Sequence, residues 1–332
     1  MKTMNASSQG KKRLGWFFGL CALCLLLALP FLLQRFWLTL AMEGLILGLA
    51  ATAVNVLLGY GGGMPFGHAA FYIAGAYAAG ILLKQTALSP LIVFVIAAII
   101  ALALGTVIGA VCSTLYRFYF AMMTLAFSML VWTFVRKLDW LTGGDNGLTG
   151  IPIPDFFNSF ENTYFFVLGI VLLSLFILWI LVNSPFGWTL RAIRENPNRV
   201  SFTGVNVFLL RWVAFMISSV FCGIAGILFV FYSRSVFPDY GYWLKSGDMV
   251  TVCLLGGMFS FLGPIIGAMI WVFLTSWINS VTHYHLLPLG IVICVVLLLL
   301  PDGITGISRK LFLSASKGRL GTKTGQAKFP IT

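Results

Sequence analysis

The sequence predicts an all-α, polytopic transmembrane helix bundle of about eight to ten spans, with helices broken at membrane depth. Three observations carry this. Of the 332 residues 60% are hydrophobic and only 9% are charged, a balance that leaves a water-soluble fold of this size nothing to cover its core with. The apolar residues fall into runs of membrane-crossing length. Two of those runs are interrupted by glycine-rich segments, where lipid-facing backbone would lose its hydrogen bonds.

The chain opens with a basic stretch, 1–14, ending in Lys11-Lys12-Arg13. The apolar run behind it has the outline of a signal peptide. Its small-residue cleavage pattern is poor and further spans follow at once, so it reads as an uncleaved first span. The apolar runs are 15–34, 38–58, 66–83, 88–112, 118–136, 163–183, 207–232, 248–261, 264–281 and 286–300. A spanning helix needs about 20 residues, so 248–261 reads either as a half-helix or as part of its neighbour. A membrane domain of 15–305 then leaves 306–332 as a basic tail rich in Gly, Ser and Thr, expected to be disordered. The cysteines (Cys21, Cys24, Cys112, Cys222, Cys253 and Cys294) all lie in apolar runs and read as small buried hydrophobes rather than a disulfide framework.

The net charge of +12 does not indicate nucleic acid. The bases sit in loops and tails, as membrane topology requires. With ten crossings and both termini in the cytoplasm, fifteen of the 21 Lys and Arg face inward and six outward; the reverse orientation inverts that bias, so both termini are assigned to the cytoplasm. The segment 139–162 then lies outside. It is rich in turn-forming residues and carries Asp139, Asp145, Asp155 and Glu161, four of the nine acids. It is an ordinary exterior loop, a gate, or a docking surface for an extracytoplasmic partner.

The long polar interruption with helical order is Ser184–Gly204. Ser184-Pro185 is a helix start, a hydroxyl cap followed by a residue whose φ suits the first turn. Arg191, Arg194, Glu195 and Asn198 share one face at i, i+3, i+4 and i+7. Leu190 and Ile193 lean to another. Asn196-Pro197 ends or kinks the helix. A basic amphipathic helix on the cytoplasmic side offers itself to a soluble partner; a positive-inside loop that only fixes topology gives the same pattern.

The first break is Gly59–Gly67, with Gly61, Gly62, Gly63, Pro65 and Gly67, followed by His68. Such backbone is tolerated where it packs in protein or lines a wet cavity, and broken helices of this kind mark substrate pathways in transporters. His68 is a functional candidate by its location; the structural role, bonding a carbonyl freed by the break, is the favoured reading. The second break is Leu255–Gly267, with Gly256, Gly257, Gly263 and Pro264. The small residues of Ala69–Gly80 would let helix backbones approach closely. The first break falls near the cytoplasmic end of its span, as an inner gate would. No nucleophile elbow, phosphate-binding glycine loop or embedded carboxylate pair is present, which makes an intramembrane enzyme improbable and puts any ATPase on another chain. Glu43 is the one acid read as well inside an apolar neighbourhood. That scarcity of ion-coupling groups argues for an external energy source.

These residues resemble a known family, the membrane permease subunits of bacterial ABC importers for branched-chain amino acids, and within it the longer of the two permeases that pair. The resemblance rests on Asn55–Ala78, Thr142–Pro152, Ser184–Asn206, Leu255–Gly267 and Pro301–Ile304, in that order and spacing. It covers about 38–305. Pro65 stands where a small polar residue is common, and Trp188 where a basic one is. The resemblance implies a bacterial plasma (inner) membrane importer in which a second homologous permease completes the pore, two ATP-binding cassette ATPases drive it, and an extracytoplasmic binding protein delivers substrate. It implies that 184–204 is the coupling helix, with Gly187, Arg191, Arg194 and Glu195 at the ATPase groove. By the same implication this chain binds no cofactor, ATP and Mg being held by the partners. The alternatives are an importer of the same type for urea, short amides or other amino acids, and a stand-alone channel or facilitator.

Overall fold

The computed structural model describes residues 26–31, 34–86, 88–154, 157, 159–281, 286–299 and 303–306. The basic N-terminal stretch, Cys21, Cys24, Asp155, His283, His285, Pro301, Asp302 and the tail beyond 306 lie outside them. Each of the ten apolar runs carries helix. After the segment 26–31 come α1 (Arg35–Asn55), continued by a π-helical turn Val56–Tyr60, then α2 (Ala69–Gln85), α3 (Pro90–Cys112), α4 (Arg117–Lys137) and α5 (Phe160–Asn183). The polar helix α6 (Pro185–Glu195) follows, then α7 (Val207–Ser233), α8 (Trp243–Gly256), α9 (Gly263–Val281) and α10 (Leu286–Leu299). Among the described residues six helices are long and apolar enough to cross a membrane: α1 with its π turn, α3, α4, α5, α7 and α9. The chain is a polytopic helical membrane protein.

Local chemistry sets the ends. α3 starts with Pro90 behind extended Ser89, the position where a missing N–H costs nothing. Asn206 caps α7 by accepting the Leu209 N–H at 3.1 Å. α8 begins earlier than the apolar run 248–261, at Trp243, and stops at Gly256 because Gly257 takes φ +109°. It is a half-helix, separated from α9 by the turn 257–262. The apolar run missed its first turn because Lys245, Ser246 and Gly247 interrupt the apolar pattern there.

α1 is the central post, buried almost throughout from Leu38 to Tyr60. It packs along α9 and α7, with α5 and α8 beside it, while α7 also lies against α2 and α3. Lipid tails are as apolar as leucine, so such contacts rest on close packing. The α2–α7 crossing shows how close. A Cβ on Gly226 would sit 1.9 Å from the Tyr72 carbonyl oxygen, and one on Gly75 would sit 2.3 Å from that of Gly223.

At the end of the bundle away from α6, the segment 138–154 after α4 is pinned by defined contacts. Thr142 Oγ1 donates to the Val135 carbonyl at 2.7 Å, closing a helical turn Asp139–Thr142. Strand β1 (Leu148–Thr149) pairs antiparallel with β2 (Ser235–Val236), in the register Leu148 to Val236 and Thr149 to Ser235. These two-residue strands are a small exception to the all-helical pattern.

Candidate functional site

The site forms where α6 meets the two glycine breaks. Ser184 is extended and Pro185 takes the first helical position, as the Ser-Pro pair predicts. The hydroxyl does not cap: Ser184 Oγ donates back to the Leu181 carbonyl at 2.6 Å, so backbone conformation and proline start the helix. Asn196 is again extended, and its side chain accepts the Arg199 N–H at the head of a separate turn, Pro197–Ser201. Asn198 therefore does not share the face of Arg191, Arg194 and Glu195; the Asn-Pro step rotates it onto another helix. Leu190 and Ile193 are fully buried. Gly187 is buried so close to α5 that a Cβ would lie 2.1 Å from the Val182 carbonyl oxygen.

The two arginines turn inward. Arg191 places its guanidinium 4.9 Å from the Tyr60 ring centre and 4.4 Å from that of Trp188, and donates to the Val182 carbonyl at 3.4 Å. Arg194 donates to the carbonyl of Gly59 and lies 5.1 Å from the Phe259 ring centre. Gly59 belongs to the first break and Phe259 to the second. Glu195 is exposed, as are Trp188 and Phe202.

The first break begins with the π turn, in which Gly61 N–H reaches back five residues to the Val56 carbonyl at 3.1 Å. π turns inside α-helices concentrate at functional sites. Gly62 takes φ +73° and leaves its Cβ position 2.5 Å from Arg194 Cγ; both the backbone angle and the contact demand glycine. Gly63 lies against Phe120 and Gly67 against Thr124 of α4, whose hydroxyl accepts the Phe66 N–H at 3.2 Å. Pro65 is buried between them. At the second break Gly256 presses on Gly263, and Pro264 sits buried in the first turn of α9. The breaks touch directly: a Cβ on Gly59 would meet the Met258 carbonyl oxygen at 2.1 Å.

His68 lies deeper and is fully buried. Its Nε2 is 2.7 Å from Ser218 Oγ on α7, and that hydroxyl reaches the Ala53 carbonyl at 2.6 Å. The serine's one proton goes to the carbonyl, so Nε2–H donates to the serine, which in the neutral ring is the Nε2–H tautomer. Nδ1 has no partner. The Ala69 N–H, freed at the start of α2, donates to Ser246 Oγ on α8 at 2.8 Å. The arrangement ties α1, α2, α7 and α8 together two turns short of the break; among the described residues no acid is hydrogen-bonded to the ring.

A cavity of about 120 Å³ opens beside α6, lined by Gly61, Gly62, Gly63, Arg117, Arg194 and Glu195 among others. The structure thus brings Gly61–Gly63, Arg194, Glu195 and the second break into one place. It leaves Asp139, Asp145 and Glu161 exposed at the opposite end. Glu161 stands there in the first turn of α5. Arg136 Nε meets Asp145 at 2.5 Å and holds its carboxyl below the usual range.

A family model described as branched-chain amino acid transport system / permease component matches residues 36–300. The chain belongs to this permease family. The permease is 29% identical, over 91% of its length and 78% of the relative's, to the high-affinity branched-chain amino acid transport system permease protein LivM of Escherichia coli K12. It is 27% identical to LivM of Salmonella typhimurium LT2, over 94% of its length and 78% of the relative's. A guanosine ABC transporter permease protein, NupQ of Bacillus subtilis, is 30% identical over 31% of each chain. No solved structure matches.

Sequence reasoning passed over several residues that build the permease's site. Asn55, Ser218 and Ser246 are polar side chains within apolar helices, each fully buried, and that placement was itself a signal. Tyr60 and Phe259 carried no signal beyond lying in glycine-rich segments, since aromatics are common throughout this chain.

Proposed function

We propose that this permease forms half of the translocation pore of an ATP-driven importer for branched-chain amino acids. A second homologous permease supplies the other half, two ATPases bind at the α6 end, and an extracytoplasmic protein delivers substrate at the other. The α6 end faces the cytoplasm of a bacterial plasma membrane, and both termini lie there, as the Lys and Arg bias favours. The observation that carries this reading is the double contact of Arg194 with Gly59 and Phe259. A helix that grips both breaks moves both when it is displaced. In the cycle, closure of the ATPases shifts α6, Arg194 and Arg191 carry the shift to the π turn and to the 257–262 turn, and the pore changes its open side. Glu195, Trp188 and Phe202 remain on the solvent side of the polar segment for contact with an ATPase, aromatic anchors being the groups that dominate such interfaces.

The test is reconstitution. The permease, its partner permease, the ATPases and a leucine-loaded binding protein, placed in liposomes, accumulate labelled leucine only with ATP. Leucine flux through this chain alone, independent of ATP, would overturn the reading in favour of a facilitator. External maleimide that modified Arg199→Cys in sealed cells would overturn the orientation.

A further inference from the structure

The end of the bundle opposite α6 holds a half-open cleft of about 270 Å³ between α1, α8 and α9. Its walls carry Glu43, Lys245 and Asp248, with Leu47, Trp271 and Thr275 among the rest. Two of the chain's nine acids thus share one cleft with a lysine. Among the described residues the ion pair formed is Arg136–Asp145, so these three charges are close without pairing. Glu43 stands seventeen residues before Tyr60 on the post, about 25 Å from the α6 end at the helical rise. The reading of Glu43 as the one acid well inside an apolar neighbourhood is corrected here: Asp248, at the edge of the apolar run 248–261, is a second, drawn into the cleft by the half-helix that carries it.

Charges on membrane helices are costly, and where they persist they mark substrate or ion pathways. The pattern is specific. Two carboxylates suit an ammonium, one ammonium suits a carboxylate, and Leu47 with Trp271 supplies an apolar wall. The volume lies just under the roughly 300–1,000 Å³ of small-molecule clefts. We propose that this cleft is a binding station for the zwitterion of an apolar α-amino acid, its ammonium held by Glu43 and Asp248 and its carboxylate by Lys245. This rests on the importer reading and adds to it that the pore itself, and not only the delivering protein, recognises the dipolar group.

The experiment uses the assembled importer in liposomes. Lys245→Met, Glu43→Gln and Asp248→Asn are expected to lower leucine uptake about tenfold or more, the loss of a charged hydrogen bond, while ATP hydrolysis stimulated by loaded binding protein stays within about twofold. Lys245→Arg and Glu43→Asp are expected to recover most of the uptake. Uptake unchanged in all three variants, or uptake and stimulated hydrolysis falling in proportion, overturns the station. A second measurement does not need these variants to assemble. Asn279→Cys, on the same wall, is expected to be protected from maleimide by leucine but not by leucinamide or 4-methylpentanoate, each of which lacks one charge. Equal protection by all three, or none by leucine, overturns dipolar recognition. A parent complex that moves no leucine sinks the importer reading, and the protection assay still judges the cleft.

Discussion

Arg194 of the polar helix donates to the carbonyl of Gly59 in the π turn. That carbonyl is available because the turn shifts the register: the following N–H groups of Gly61, Gly62 and Gly63 go to Val56, Leu58 and Leu57. A charged donor on a carbonyl contributes about 1.5–3 kcal/mol, enough to carry displacement from one element to the other. Arg194→Gln is therefore expected to reduce the ratio of substrate moved to ATP hydrolysed by about tenfold or more, with insertion intact. Arg194→Lys, which keeps a donor but not the guanidinium contact with the Phe259 ring, should fall between. A ratio unchanged in Arg194→Gln would detach this residue from coupling.

Asn55 is buried with neither side-chain polar atom partnered, four residues before Gly59 and against it. An orphaned buried amide costs about 1–3 kcal/mol, and here that cost falls beside the first glycine break. Asn55→Leu is expected to raise the midpoint of thermal unfolding in detergent and to slow transport. Thermal shift and uptake measured on the same preparation check this; a less stable variant would show that the amide is satisfied by a protein group in the resting state.

Gly62 and Gly204 make a matched pair. Both are left-handed, at φ +73° and +81°, yet Gly62 abuts Arg194 while nothing lies within 4 Å of the Cβ position of Gly204. Alanine at either site carries the same backbone penalty of about 1–2 kcal/mol. Gly62→Ala alone is expected to impair transport as well, since its methyl displaces Arg194. Uptake normalised to membrane expression distinguishes the two.

The His68–Ser218–Ala53 chain predicts a structural phenotype. Ser218→Ala strands the Nε2 donor of a fully buried ring and is expected to destabilise the protein by about 1–3 kcal/mol. The transport rate per folded molecule should change little, and its pH profile should not move. A shifted pH profile would mean that the imidazole handles protons during transport.

The helices were legible because apolar runs of this length have one stable outcome in lipid. Even the ends of α6 could be read, since Ser184-Pro185 and Asn196-Pro197 constrain φ locally. The start of the half-helix α8 was displaced because Lys245, Ser246 and Gly247 mask its first turn from hydropathy. The inward turn of Arg191 and Arg194 was not legible: spacing gives the angle between side chains on a helix, but the neighbour decides which angle is buried. Nor did anything near Gly59 or Met258 announce that two segments so far apart in the chain would touch. The β1–β2 pair was invisible for a simpler reason, since two residues are too few to show a period.

The pairing of β1 with β2 has a mechanical consequence. It stitches the loop after α4 to the far end of α7, a stitch reinforced by the Ile151 N–H on the Arg234 carbonyl at 3.2 Å. α7 is a rod of 27 residues, about 40 Å at the helical rise, and its near end packs against α6. A load placed on that loop becomes an axial thrust on the rod.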